Sequence, residues 1–381
     1  MKNIHGQNVI LCCPGFPSSS DSADKPFLLD HAQAIRRLGI HVTVICPSVP
    51  GLPSRSKING VNVIRVRYAP HRLETLASTG AMYKEANGWR GVFVIPMLIA
   101  LLWATLREAK QNRSFAIHGH WWVPGGFVAT VAAGLMRSAS IVHLHGSDVV
   151  IAKSKGMRYL ARRVMRSANF VAAVSEPLRE WGEAVSGREI LVMSMPINSD
   201  RFPEPVAAPS DGPILAVGRL VKEKGFDVLI SAMALLQTDE KFRIAIVGEG
   251  PERKALTEQA LKLGVELDLL GELSPQMLGE LYKSARFVVV PSRREGYGLV
   301  AAEAAASARA VVGSRVGGIP DLIEDGVSGI LVEPDDVEQL SKALKIVDPN
   351  WGAAGLSKFH SLGLDNHSSA LRDLYSNLTF T

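Results

Sequence analysis

Residues 193–213, MSMPINSDRFPEPVAAPSDGP, hold five prolines and almost no hydrophobic periodicity, the composition of a connector rather than of a helix or strand. On either side, short β-branched runs alternate with helical stretches, the pattern of a parallel sheet covered by helices. Before the connector the predicted strands are Asn8–Cys12, Val42–Cys46, Val61–Val66, Phe115–His118, Ser140–Leu144 and Asn169–Ala173. After it they are Ile214–Val217, Phe242–Val247, Leu267–Leu270, Phe287–Val290, Ala310–Gly313 and Gly329–Val332. The reading is α/β, with two Rossmann-like doubly wound domains facing across a cleft. Residues 1–200 form one and 201–360 the other, and the helical spacing from Leu362 to Leu378 lets residues 361–381 return to the first.

The length of 381 residues suits two domains. Charged residues at 21% and hydrophobic residues at 47% exclude a disordered or fibrous chain. Cys12, Cys13 and Cys46 make neither a disulfide framework nor a ligand spacing, which points to a reducing compartment. The net charge of +5 is unevenly spread: residues 1–205 carry 24 Lys and Arg against 13 Asp and Glu, residues 206–381 carry 18 against 24. A basic first half expects an anionic partner. The apolar start is broken by Pro14 and Pro17, so export is not expected. The stretch Val92–Leu106 contains Pro96, falls short of a bilayer span and is read as a buried helix, with shallow membrane insertion as the alternative.

Ligands of open α/β sheets bind beyond the carboxyl ends of the strands, and the informative segments lie there. Glu295-Gly-Tyr-Gly-Leu-Val-Ala-Ala-Glu303 follows a predicted strand and runs into a helix. Gly296 and Gly298 permit a turn with free amides, the helix N-terminus favours phosphate, and Glu303 suits paired ribose hydroxyls. Arg219 and Lys224 in Gly218-Arg-Leu-Val-Lys-Glu-Lys-Gly225 can neutralise a diphosphate. In the first half, His118-Gly-His-Trp-Trp122 and His145-Gly-Ser-Asp148 follow strands, and eight of ten histidines fall in residues 1–205. Imidazole suits sugar hydroxyls and proton exchange. Zinc is the rival, but the histidines pair one residue apart with no HExxH helix, so no metal is expected. The loop Pro14–Ser20, with Gly15, offers backbone amides to phosphate or sugar. Val247-Gly-Glu-Gly-Pro-Glu-Arg253, with Gly248, lacks the third glycine of a dinucleotide fingerprint, which disfavours a dehydrogenase.

Together, His145-Gly-Ser-Asp148, Gly218-Arg219 with Lys224-Gly225, Val247-Gly-Glu-Gly250 and Glu295 through Glu303 resemble the retaining glycosyltransferases of family 4, which have the two-domain GT-B fold. The His-Gly-His-Trp-Trp segment is similar to a subgroup acting in surface polysaccharide assembly. The resemblance implies that Arg219 and Lys224 bind the donor diphosphate, Glu303 the ribose, and backbone near Glu272 and Leu273 the base. Glu295 and the amides from Gly296 through Tyr297 and Gly298 to Leu299 would contact the transferred sugar, and His145 would lie beside it. His120, Trp121 and Asp148 fall to the acceptor side. The donor is a nucleoside diphosphate sugar, the acceptor a saccharide or lipid-linked hydroxyl, and neither cofactor nor metal is implied. Pro14–Ser20 stands where the family has a Gly-Gly loop, and Pro196-Ile-Asn-Ser-Asp200 where it commonly has Asn-Gly-Val-Asp.

A double displacement wants two carboxylates about 5 Å apart, and only Glu295 is placed for one, so a same-face mechanism is preferred, the leaving phosphate helping to deprotonate the acceptor. A nucleotide-sugar epimerase and a non-enzymatic binding protein are the alternatives; no basic residues interleave with aromatics, so nucleic acid is not expected. Lys153, Lys155, Arg158, Arg162, Arg163 and Arg166 offer a face to anionic lipid, giving a cytoplasmic protein, peripheral on the inner membrane face.

Overall fold

The computed structural model describes residues 4–22, 24–76, 88–113, 115–202, 204–236 and 242–378; Pro203 of the predicted connector and residues 379–381 lie outside these. The chain divides into two compact units, residues 1–196 with 364–381, and residues 197–363.

The first unit is built on eight strands, β1 (Asn8–Cys12), β2 (His41–Pro47), β3 (Arg55–Ile58), β4 (Val61–Val66), β5 (Ala116–His120), β6 (Ala139–Leu144), β7 (Phe170–Ala173) and β8 (Leu191–Val192), in the order β3-β4-β2-β1-β5-β6-β7-β8. All pairs are parallel except β3 with β4. This antiparallel edge strand is an addition to the predicted strands. β3 reads Arg-Ser-Lys-Ile, too polar to signal a strand by apolar content. Its signal was the two-residue turn Asn59-Gly60, both left-handed at φ 45° and 81°, the preferred connection of a tight hairpin.

Alternation along the strands gives the sheet two apolar faces. Val9 and Leu11 of β1 face the helices Pro26–Arg37 and Leu364–Ser376, while Ile10 and Cys12 face Val94–Asn112 and Phe127–Met136. The Leu364–Ser376 helix thus buries Leu371, Leu374 and Tyr375 in the unit that opens the chain.

The stretch Val92–Leu106, expected to be a buried helix, is only half covered. Its helix, with the preceding 3-10 turn, runs 24 residues from Trp89 to Asn112, long and apolar enough to cross a membrane by length and composition. Met97, Leu101, Ala104 and Ala109 pack into the unit, but Trp89, Val92, Ile95, Ile99 and Trp103 stand 62–67% exposed. Composition reveals two apolar stripes without telling which one is covered.

The second unit holds six parallel strands, β9 (Ile214–Val217), β10 (Ile244–Val247), β11 (Leu267–Gly271), β12 (Phe287–Val290), β13 (Val311–Ser314) and β14 (Gly329–Val332), in the order β11-β10-β9-β12-β13-β14. Chain direction across the sheet reverses between β9 and β12, the switch point where such sheets open a crevice. The fully buried Arg309 guanidinium donates to the carbonyls of Val206, Tyr282, Lys283 and Ala308, fixing the proline-rich segment to this unit.

Candidate active site

At the switch point, the loops after β9 and β12 bring Lys224 and Glu295 together. The Lys224 ammonium donates to Glu295 Oε2 at 2.6 Å, with both side chains about a fifth exposed. Ser292 Oγ donates to the same oxygen at 3.4 Å, and the Gly296 amide to Oε1 at 3.2 Å. The stem of Lys224 lies along Gly218, where a Cβ would come 3.3 Å from Cε at a φ of 150° that side chains rarely adopt.

Glycine lets the neighbouring backbones close in. A Cβ at Gly225 would stand 1.9 Å from the Pro291 carbonyl, and one at Gly248 2.0 Å from that of Gly218. No rotamer relieves a clash with backbone. The Gly248 amide also donates to the Gly271 carbonyl at 2.8 Å, tying in the end of β11 and the following Glu272 and Leu273.

After Gly298, at φ 95°, the helix Leu299–Ala306 begins with its first amides free of helical partners. Glu303 lies within it, one oxygen accepting from the buried Tyr282 hydroxyl at 2.9 Å; Oε1 receives no hydrogen bond among the described residues. Burial raises the Glu303 carboxyl above its usual range, opposed by the Tyr282 bond and the charges of Arg201 and Lys224. Tyr297 is buried, so only its backbone is offered to a ligand. Arg219 is exposed on its loop, and among the described residues no hydrogen bond joins it to Lys224 or Glu295.

Sequence reasoning missed the residue that clamps the two loops. Arg293 donates to both carboxylate oxygens of Asp227 at 2.8 and 2.7 Å, to Asp335 at 2.5 Å and to the Lys222 carbonyl at 2.6 Å. Burial would raise the Asp227 carboxyl, but the guanidinium outweighs it and holds it below the usual range. Nothing in the pattern Ser-Arg-Arg-Glu told which arginine turns inward.

The first unit gathers six histidines at the carboxyl end of the face covered by the Pro26–Arg37 and Leu364–Ser376 helices. His118 and His120 stack 4.9 Å apart on β5, and His143 of β6 stacks 5.6 Å from each. His31 meets the rings of His118 and His120 edge-on at 5.0 and 4.9 Å, and its Nδ1 pairs with His367 Nε2 at 2.8 Å. His120 Nδ1 pairs with His145 Nε2 at 2.9 Å. Burial holds all six rings well below the usual imidazole range, His143 at about 4 and His367 at about 3.

His145, half-buried, is the member that reaches the surface, stacked on Trp121 at 4.2 Å. The acceptor-side assignments change accordingly. His120 is fully buried and bonded to His145. Asp148 is also fully buried, its oxygens accepting from the Trp122 amide at 2.7 Å and the His145 amide at 2.6 Å. Burial pushes its carboxyl up to about 6 against those amides. Both residues are fully buried and bonded to His145, so they hold that residue rather than face a saccharide; a Cβ at Gly119 of β5 would lie 2.4 Å from the Gly125 backbone, so the turn after β5 closes tightly over His120. Trp121 is partly exposed, its indole donating to Ser147 at 2.8 Å. Gly15, grouped with the donor residues, is buried in the first unit after β1.

Residues 26–193 match the glycosyl transferase 4-like domain, and residues 199–348 match glycosyl transferases group 1. A relative from Bacillus subtilis named as a teichuronic acid biosynthesis glycosyltransferase, TuaC, is 27% identical over 354 residues, 86% of each chain. An uncharacterised glycosyltransferase of Methanocaldococcus jannaschii is 30% identical over 242 residues, 61% of this chain and 65% of that one. Among solved structures, sucrose-phosphate synthase of Thermosynechococcus elongatus superposes with a TM-score of 0.79 at 20% identity, over 97% of this chain and 98% of that one. Anabaena HepE, solved with UDP, superposes at 0.73 with 18% identity, over 98% and 100%. With both sheets doubly wound and both halves matched, the chain belongs to the family 4 glycosyltransferases of the GT-B fold.

Proposed function

We propose that this glycosyltransferase moves a sugar from a nucleoside diphosphate, UDP or GDP, to a saccharide hydroxyl with retained anomeric configuration, in polysaccharide or glycolipid assembly. The observation that carries the reading is the Lys224–Glu295 pair at the β9/β12 switch point. An ammonium held there stabilises a departing diphosphate, and Glu303 suits the ribose. The polysaccharide context is supported by the name of TuaC, and UDP by its presence in the HepE structure. With a single carboxylate beside the transferred sugar, the leaving phosphate takes the acceptor proton on the same face and no metal is needed.

Thermal shift with UDP-, GDP-, ADP- and CMP-sugars tests the donor. At one hundred times its Kd a true donor adds about 2.7 kcal/mol, and incubation with acceptor then yields a product whose anomeric configuration NMR reads. Silence from every nucleotide-sugar favours a non-enzymatic binding protein, a changed donor without acceptor favours an epimerase, and an inverted product removes retention.

We further infer that the protein works in the cytoplasm, peripherally on the membrane, where lipid-linked acceptors are reached. Free thiols at Cys12, Cys13 and Cys46 fit a reducing compartment. The exposed stripe Trp89, Ile95, Ile99 and Trp103 offers apolar anchors, and the exposed basic residues from Lys153 to Arg166 offer charge. Co-sedimentation with anionic over neutral liposomes is expected, and should weaken in a Trp89→Ser, Trp103→Ser variant. Equal recovery with both lipids overturns this reading.

A further inference from the structure

The histidines of the first unit are more than the transfer reading uses. Three of them, His31, His118 and His120, bring one ring nitrogen each to within 4.8 Å of one another, all fully buried. In each, Nε2 is buried without a hydrogen-bond partner, while Nδ1 is engaged. His31 Nδ1 pairs with His367 Nε2 at 2.8 Å, His118 Nδ1 with the Tyr375 hydroxyl at 3.1 Å, and His120 Nδ1 with His145 Nε2 at 2.9 Å.

The outer partners determine which nitrogen carries the proton. If each Nδ1 donates outward, each Nε2 presents a lone pair to the buried cluster, with no hydrogen-bond donor to any of them. The alternative puts three N–H groups there with no acceptor. Either arrangement leaves three buried polar atoms unpaired, a desolvation cost that no bond offsets. A cation removes that cost only for the first, and metal-bound histidine normally fixes its tautomer by such an outward hydrogen bond.

We propose that His31, His118 and His120 bind a divalent transition metal of the Zn2+ class through their Nε2 atoms, with His367, Tyr375 and His145 holding the rings in register. Imidazole donors suit Zn2+, and Zn–N bonds of about 2.0–2.1 Å need nitrogens roughly 3.4 Å apart in a tetrahedron. The nitrogens stand within 4.8 Å of one another, and the stacked rings of His118 and His120 must tilt out of parallel to share one ion. His143, whose Nδ1 is also buried without a partner, stacks beside His118 and His120. The ligands come from the Pro26–Arg37 helix and from β5, and their outer partners from the Leu364–Ser376 helix and the end of β6. The ion therefore cross-links the first unit and takes no part in the donor chemistry of the second. The expectation of no metal rested on sequence spacing, which cannot see His31, 87 positions before His118, as a neighbour.

The test uses the full chain, stripped with chelator and titrated with Zn2+ or Co2+ alone. One ion per chain is expected, with the intense visible absorption of tetrahedral Co2+, imidazole nitrogens in X-ray absorption, and a rise of the melting transition on Zn2+ addition. His31→Gln and His118→Gln should each weaken binding at least tenfold, and exposed His41→Gln should leave it unchanged. Should the cluster variants fail to fold, the wild-type absorption spectrum and ligand count still decide. No stoichiometric binding, an octahedral oxygen-bound Co2+ spectrum, or loss of binding in His41→Gln overturns the proposal.

Discussion

Lys224→Ala and Glu295→Ala are each expected to lower transfer by roughly 10²–10³-fold while leaving the protein folded, the size of effect that follows removal of one preorganised group facing developing charge. The two halves of this prediction rest on different properties of the same pair. With both side chains partly exposed, the ion pair contributes less than about 1 kcal/mol to stability, so circular dichroism and melting temperature should hardly move. Its catalytic contribution comes from where it stands. Gly218 leaves room for the lysine stem, and the 292–296 loop holds the carboxylate, so neither group must be reorganised when a diphosphate arrives. The double variant should be little worse than either single one, because the two groups act as a unit. Near-normal transfer by either purified variant would remove the donor-site assignment.

The first unit is expected to lose stability steeply on mild acidification. His143 and His367 titrate near 4 and 3 in the folded protein and near 6.5 when unfolded. Below pH 6.5 the unfolded chain therefore takes up protons that the folded chain refuses, and stability falls with pH by about 1.4 kcal/mol per unit for each ring. By pH 5 these two cost about 4 kcal/mol, and the loss continues until pH passes their folded values. The lowered His31, His118, His120 and His145 act in the same direction. Asp148, raised to about 6, acts oppositely: it binds a proton in the folded state first, returning about 1 kcal/mol over the same interval. Calorimetry with chelator present, so that no metal contributes, should show one transition dropping by about 10 °C between pH 7.5 and 5. A transition that stays level over that interval would contradict the sign.

Much of the second unit was legible because its chemistry is local in sequence. Strand, glycine turn and helix follow one another in residues 287–306, and Lys224 sits just before a glycine that needs φ 66°. What could not be read were contacts made by choice among similar residues. Arg293 rather than Arg294 clamps Asp227, and Tyr282 reaches Glu303 from another helix. The first unit was readable as an architecture but not as a site. His118, His120 and His145 announced themselves by proximity to strand ends, yet His31 and His367, which complete the cluster with His143, lie 336 positions apart. The hairpin at Asn59-Gly60 was visible in the turn and hidden in the strand, since an edge strand needs little apolar content to pair.

The return of the Leu364–Ser376 helix to the first unit also sets an order of events during synthesis. The ribosome completes residues 197–363 before it delivers Leu371, Leu374 and Tyr375. The later-encoded unit can therefore close its core while the earlier one still presents a bare apolar face along Leu28, Ala32 and Ile35. The half that is translated first is therefore the half whose core is completed last.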